Sequence, residues 1–292
     1  MALWQQIALR ISATNGEQFE LETRQAMAGG CINQAYRLKG ERGKSYFVKL
    51  NQADSLPMFE AEVMGLQELA QADAIRVPAP VCSGMAAGQA FLVLEDLSLG
   101  GAGSMAAFAR QLAQMHHYTR QQFGWHCDNT IGSTTQINTP NAGWIEFWRE
   151  RRLGFQLQLA AKNGAAHSLL DKGQKLLQGF DCLFSDYQPV ASLLHGDLWS
   201  GNYAFTRMGE AVIFDPAVYY GDRETDIAMS ELFGGFPADF YAAYEEAWPL
   251  DTGYAVRRTL YNLYHILNHF NLFGGGYAAQ AEGMIERLLA EC

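Results

Sequence analysis

The chain has 292 residues, 49% of them hydrophobic, which suits one large or two modest domains with a core that needs no staples. Lys and Arg number 21 against 31 Asp and Glu, a formal charge of −10, which is the wrong balance for a phosphate backbone and excludes nucleic acid as a partner. No apolar run approaches the roughly eighteen residues of a membrane span. The opening Met1-Ala2-Leu3-Trp4-Gln5-Gln6 lacks the parts of a signal peptide, and the five cysteines are scattered without ligand spacing. A reduced, cytoplasmic, membrane-free protein is expected.

The first hundred residues carry strand signals. Phe19-Glu20-Leu21-Glu22 alternates, and Ala35–Leu38 and Ser45–Leu50 flank the polar turn Lys39-Gly40-Glu41-Arg42-Gly43, which predicts an antiparallel hairpin. Apolar residues at Met58, Phe59, Val63, Leu66 and Leu69, with Pro57 ahead of them, predict a helix over 57–72. Val77-Pro78-Ala79-Pro80 should be extended, and Gln89–Glu95 reads as a buried strand ending at Asp96. Beyond about residue 103 the pattern is mostly helical. One stripe runs Met105, Phe108, Leu112, Met115, and a longer one spans Trp144–Leu159. Short apolar runs at 191–194 and 211–214 interrupt the helices, which resume over 225–247, 254–272 and 277–290. The change of period places a small sheet-bearing lobe at 1–97 and a larger helical lobe at 98–292.

The chemistry concentrates in His195-Gly196-Asp197-Leu198-Trp199-Ser200-Gly201-Asn202 and in Ile213-Phe214-Asp215-Pro216. A carboxylate and an amide five residues apart converge only in a tight loop, and a second Asp ends an apolar strand. Phosphoryl transfer uses this inventory. Asp197 takes the proton of an attacking hydroxyl, while Asn202 and Asp215 hold Mg²⁺ on the phosphates of ATP. Lys49, closing an early strand, supplies the cation for phosphate oxygens, and Glu62 on the first predicted helix orients it. Each residue alone is commonplace, a surface lysine or a turn aspartate. The ordered set Lys49, Glu62, Asp197, Asn202, Asp215 matches the parts of a kinase. The Gly29-Gly30 turn, followed by Cys31, Ile32 and Asn33, lacks both the full Gly-rich spacing and a Walker ending. Ahead of Lys49 it reads as a lid of backbone amides, with Gly30 and Asn33 as nucleotide contacts. At Glu95-Asp96-Leu97 the backbone is placed to read the adenine edge.

These motifs give the chain a specific likeness. It resembles the fructosamine/ketosamine-3-kinase family, within the protein-kinase-like superfamily, from Gly29–Tyr36 to the last helices. The blocks that carry it are Met58–Glu62 with Gly65-Leu66, Asp128–Gly132, Leu194–Asn202, Phe214–Gly221 running into Arg223–Asp226, and Leu260–His269. The resemblance implies an α+β bilobal kinase fold and ATP- and Mg²⁺-dependent phosphorylation of the C3 hydroxyl of ribulosamine, erythrulosamine or fructosamine adducts, small or protein-bound, as a deglycation repair. It implies Asp197 as proton acceptor, Asp215 as metal ligand and Glu95-Asp96-Leu97 as the nucleotide segment. It also makes Trp199, His265 and His269 candidate substrate contacts; as a lone i, i+4 pair the histidines read equally as packed core. His116-His117 is expected to support the catalytic loop. Where relatives read Thr-Pro-Gln, this chain has Thr134-Thr135-Gln136, a loop expected to shape the substrate mouth. The alternatives are a sibling phosphotransferase for aminoglycosides or choline, and a nucleotide-binding pseudokinase. A protein-Ser/Thr kinase lacks support, since neither Asp-Phe-Gly nor Ala-Pro-Glu occurs. Cys31, in the phosphate-covering turn, makes either a monomer or a weak, redox-linked homodimer an expectation.

Overall fold

The computed structural model describes residues 2–27, 32–41 and 43–292. The fold is α+β and bilobal, and the chain divides into two units: Met1–Gly103 with Ala204–Asp215, and Ser104–Tyr203 with Pro216–Cys292. The first unit thus extends beyond residue 97 and takes in a later segment that sequence order assigns to the second.

The first unit opens with α1 (Leu3–Asn15), which the sequence reading does not anticipate. β1 (Leu21–Met27), β2 (Gln34–Gly40), β3 (Ser45–Gln52), α2 (Leu56–Gln71), β4 (Pro80–Ala86) and β5 (Gln89–Glu95) follow. The strands form one antiparallel sheet in the order β1-β2-β3-β5-β4. The predicted hairpin is present, with Leu38 opposite Tyr46. Phe19 lies ahead of β1 and packs in the core instead of pairing. Edge position lets β4 begin at a proline, whose missing N–H costs no ladder bond there.

Side chains alternate across β3. Val48 and Leu50 join Phe91, Val93, Ile7 and Ile11 in the core beneath α1. Lys49, between them, must therefore emerge on the opposite face. α2 starts with Pro57 in its first turn and buries Phe59, Leu66 and Leu69.

In the second unit α3 (Met105–His116) is capped by Ser104, whose hydroxyl accepts the Ala107 N–H at 3.1 Å. β6 (Thr119–Arg120), β7 (Asn129–Ile131) and β8 (Thr134–Gln136) are short. The apolar stretch from Trp144 forms α4 (Trp144–Phe147), a π-helical turn (Trp148–Gly154) and α5 (Phe155–Lys162) in continuous succession. α6 (His167–Gly179) and β9 (Ala191–Leu194) come next. The hairpin of β10 (Tyr203–Phe205) and β11 (Ala211–Ile213) belongs to the first unit from Ala204 onward, where Thr206 bridges Leu99 and Val212 bridges Arg76. β12 (Tyr219–Gly221) then pairs with β9, and β9 with β6. The chain finishes through α7 (Glu224–Leu232), α8 (Ala238–Ala247), α9 (Tyr254–Phe273) and α10 (Tyr277–Glu291). No helix among the described residues is long and apolar enough to cross a membrane.

One expectation is corrected. The cysteines are not all thiols, because Cys182 and Cys292 are joined by a disulfide across a sequence separation of 110. Spacing hides such a pair. α6 and α10 bring it together, and Lys172 of α6 binds Glu282 and Glu286 of α10 at 2.6 and 2.5 Å. Cys82 carries a free thiol.

Candidate active site

Two constellations carry the predicted chemistry, one in each unit. In the first, Lys49 Nζ lies 2.5 Å from both Glu62 Oε1 and Asp215 Oδ1. The parity of β3 turns the lysine away from the α1 core, and α2 presents Glu62 to it. Burial pulls the ammonium toward neutrality, but the two carboxylates more than offset this and hold Lys49 above its ordinary range. Glu62 is pushed up, first by burial and then by repulsion from Asp215, with Lys49 opposing. Asp215 follows β11 with a φ of +57° and precedes Pro216, a position that favours extended backbone. A non-glycine residue in the left-handed region costs about 1–2 kcal/mol, and such strain clusters where a side chain must be aimed. Its carboxylate is 44% exposed, so the oxygen not held by Lys49 remains open to a ligand.

In the second unit, β9 ends at Leu194 and the loop His195–Asn202 begins. Gly196 has a φ of +81°, and a Cβ there would stand 2.1 Å from the carbonyl oxygen of Ala217, so only glycine fits. A buried carboxylate fixes the turn: Asp226 accepts the N–H of His195 at 2.7 Å and of Gly196 at 2.8 Å. The same carboxylate meets His116 Nε2 at 3.2 Å, and His116 Nδ1 lies 2.7 Å from the Tyr244 hydroxyl. Burial lowers the affinity of His116 for a second proton, so Nε2–H donates to Asp226 and Nδ1 accepts from Tyr244. Burial raises Asp226, yet His116 and the loop amides outweigh it and keep it ionised. Asn202 closes the loop, its Nδ2 donating to the Asp197 carbonyl at 2.9 Å and to Asp197 Oδ2 at 3.1 Å. Gly201 has a separate reason. A Cβ there would stand 2.4 Å from the Trp199 ring, so its absence lets the indole fold over the loop. Trp199 keeps 36% of its surface exposed and meets Phe233 edge-on at 6.2 Å.

The fructosamine kinase family model matches residues 3–291. The chain belongs to this family. It is 49% identical to a "Probable ketoamine kinase" of Synechocystis sp., over 99% of this chain and 97% of that one. It is 43% identical to a chloroplastic protein-ribulosamine 3-kinase of Arabidopsis thaliana, over 94% and 85%. The crystal structure of a protein named as a fructosamine-3-kinase from Haemophilus somnus 129PT superposes with a TM-score of 0.89 at 29% identity, covering 99% and 98%.

The blocks that mark a fructosamine kinase acquire physical roles here. Asn129 Nδ2 donates to the Val218 carbonyl at 2.8 Å, and Gln136 Nε2 to the Ala217 carbonyl at 3.0 Å. Tyr264 of α9 donates to Gln136 Oε1 at 2.8 Å. The sequence assigns Thr134-Thr135-Gln136 to the substrate mouth. The structure buries Thr134 and Gln136 and leaves Thr135 exposed, and Gln136 braces the backbone that follows Asp215. Arg152, fully buried in the π-helical turn, donates to Ile137 O and Asn138 Oδ1 and stacks 4.1 Å over Tyr219. Sequence reasoning passed over it.

Other assigned positions are engaged locally. Glu95 pairs with Arg76, and Asp96 with Arg37 at 2.8 Å, so both carboxylates of Glu95-Asp96-Leu97 are engaged within the protein. Asn33 Oδ1 accepts from Asn51 at 2.6 Å. Gly30 and Cys31 lie outside the described residues. His265 is 95% buried and neutral, its pKa lowered to about 3 by burial first and by His269 second. His269 is half-buried and donates from Nδ1 to the His265 carbonyl at 2.8 Å.

Asp215, in the first unit, and Asn202, in the second, each offer a hard oxygen donor of the kind Mg²⁺ prefers, with Asn202 spending its N–H groups on Asp197. Among the described residues no cluster of three or more His, Cys, Asp or Glu side chains is placed to hold a metal ion.

Proposed function

We propose that this chain phosphorylates the C3 hydroxyl of ketosamines at the expense of ATP. The observation that carries the reading is the catalytic loop: Asp197, set by a Gly196 turn on Asp226, clamped by Asn202, and flanked by an exposed indole. Asp197 accepts the proton as the C3 oxygen attacks the γ-phosphorus. The new O–P bond forms as the bond to the β-phosphate oxygen breaks, and ADP leaves. The first unit supplies Lys49 for the phosphate oxygens, with Glu62 orienting it. Asp215 and Asn202 hold Mg²⁺, which when bound neutralises charge on the phosphates. Trp199 gives the sugar an apolar face, and half-buried His269, reached through Phe233, is the candidate polar contact, with buried His265 packed one turn before it. The family's named ribulosamine kinases support ribulosamine as the first adduct to try.

The test incubates purified protein with ATP and Mg²⁺ and ribulosamine, erythrulosamine or fructosamine adducts, with aminoglycosides and choline as controls. ADP should form in step with a 3-phosphorylated ketosamine. Turnover of a control but of no ketosamine would assign the sibling phosphotransferase reading instead.

A further inference from the structure

Asp222-Arg223-Glu224-Thr225-Asp226 runs into the first turn of α7, and none of these five polar residues is more than 5% exposed. Taking charges out of water is costly, so such a run needs a partner for each member. Asp222 accepts the Tyr187 hydroxyl at 2.9 Å, the Tyr261 hydroxyl at 2.5 Å and the Glu224 N–H at 3.0 Å. Arg223 donates to the carbonyls of Trp248 and Pro249 beyond α8, and Thr225 to the carbonyl of Asp222. Glu224 accepts two bonds from the Arg257 guanidinium of α9, from Nε at 2.8 Å and from Nη2 at 3.0 Å. Arg257 is itself fixed, donating to Asp251 at 2.7 Å and to the Leu183 carbonyl at 3.1 Å, with Tyr187 stacked at 4.0 Å. All of these groups lie in the second unit. Of the five, Asp226 is the one that reaches the catalytic loop, at the N–H groups of His195 and Gly196.

We propose that Glu224 and Arg257 are positioning residues for proton transfer: their pairing sets the first turn of α7 against α9, so that Asp226 meets the loop amides that aim Asp197. The inference rests on the ketosamine reading for the role of Asp197 and goes beyond it in giving a role to two residues away from the loop. At about 100° per residue, helix positions two apart project from nearly opposite sides. Glu224 therefore fixes the turn from the α9 side while Asp226 serves the loop on the other. A two-pronged guanidinium–carboxylate bond sets orientation as well as distance, which is what aiming a neighbouring side chain requires. A second ion pair joins the same two helices, between Arg258 of α9 and Glu231, about two turns further along α7. Glu231 also accepts the Tyr254 hydroxyl at 2.5 Å. That pair fastens α7 to α9 without touching the turn that carries Asp226.

The experiment compares Glu224→Gln and Arg257→Lys with Glu231→Gln and wild type, each below its melting temperature. Burial raises Glu224 to about 7 against the hydrogen bonds of Arg257, with Asp222 adding repulsion, so the measurements are made at pH 8, where the pair is ionised. Steady-state kinetics on the ketosamine that wild type phosphorylates are paired with amide hydrogen exchange at His195 and Gly196. Glu224→Gln and Arg257→Lys should each lower kcat about tenfold, with KM for both substrates moving less, and should speed exchange at the two amides about tenfold. Glu231→Gln should leave kcat and exchange at wild-type values even where it lowers the melting temperature. Unchanged kcat or unchanged exchange in folded Glu224→Gln overturns the inference, and so do equal losses in Glu231→Gln. Should Glu224→Gln not fold, Arg257→Lys carries the same comparison; if neither folds, the pair is a requirement of the fold and the inference is overturned. If wild type phosphorylates no ketosamine, the ketosamine reading fails, while the exchange comparison, which needs no substrate, still decides whether the pair positions the loop.

Discussion

The two constellations are held by different forces. Around Lys49 the functional groups hold one another: an ammonium shared by two carboxylates, largely out of water. Around Asp197 the functional group is held by others. Asp226 and His116 have no predicted contact with substrate, yet they fix the backbone that aims Asp197. Charge pairing tolerates small displacement, because Coulomb energy changes slowly with distance. Hydrogen-bonded positioning does not, since geometry falls off within a fraction of an ångström. On the proposed function, nucleotide contacts fall to the first arrangement and proton transfer to the second.

The largest expected effect separates the two. Asp197→Asn keeps the loop's shape and removes the proton acceptor, so kcat should fall by at least ~10²-fold with little change in KM for ATP. Lys49→Met should instead raise KM for ATP and lower the melting temperature, because it strips the cation from Glu62 and Asp215. Saturation curves in ATP for both variants, with thermal unfolding alongside, make the comparison. If Asp197→Asn retained near-native kcat, the assignment of the base would be wrong.

A smaller effect tests the positioning itself. Asp226→Asn turns one acceptor toward the loop into a donor, facing amides that are already donors. We expect kcat to drop by roughly 10- to 10²-fold, the scale of a misplaced catalytic group, with KM for both substrates moving less. Faster amide hydrogen exchange at His195 and Gly196 should accompany it. Slow exchange together with lost activity would mean that Asp226 acts otherwise than through the loop.

This contrast also explains what was legible in the sequence. Lys49, Glu62 and Asp215 meet in the structure, as do Asp197 and Asn202, and the sequence singled them out because each brings its own chemistry in a fixed order along the chain. The hairpin and the helix after it were readable from period alone. Asp226 stood in plain view in the Arg223–Asp226 block, but its role depends on which backbone amides α7 faces, and only the fold decides that. The bracing role of Gln136 was hidden for the same reason, since a glutamine in a loop gives no sign that it will be buried against a carbonyl. α1 escaped because its buried face is narrow, with Ile7 and Ile11 its only fully buried residues. The Cys182–Cys292 bond depends on the docking of α10 against α6, a contact across 110 residues.

The smallest expected effect concerns a residue between the two kinds of support. His265 sits on α9 one turn before His269 and beside Tyr264, which braces Gln136. Burial lowers its pKa from 6.5 to about 3, His269 and Arg152 push the same way, and Asp226 opposes. In the folded state it is therefore neutral across the working range. The unfolded chain protonates it below about pH 6.5, so there the unfolded state binds the extra proton and stability falls as pH falls. At pH 5 the difference amounts to about 2 kcal/mol relative to pH 8, from one and a half units at 1.36 kcal/mol each. His116, also lowered by burial, adds to the same acid slope, so the wild-type curve alone does not isolate His265. Denaturant unfolding of wild type and His265→Gln at pH 8, 6.5 and 5 does, because the difference between the two curves removes the shared contribution. The gap should narrow by about 2 kcal/mol from pH 8 to pH 5, with His265→Gln the less acid-sensitive protein. Parallel curves would show that His265 takes up its proton in the folded state, and that it stands in water at the substrate face instead of in the core behind it.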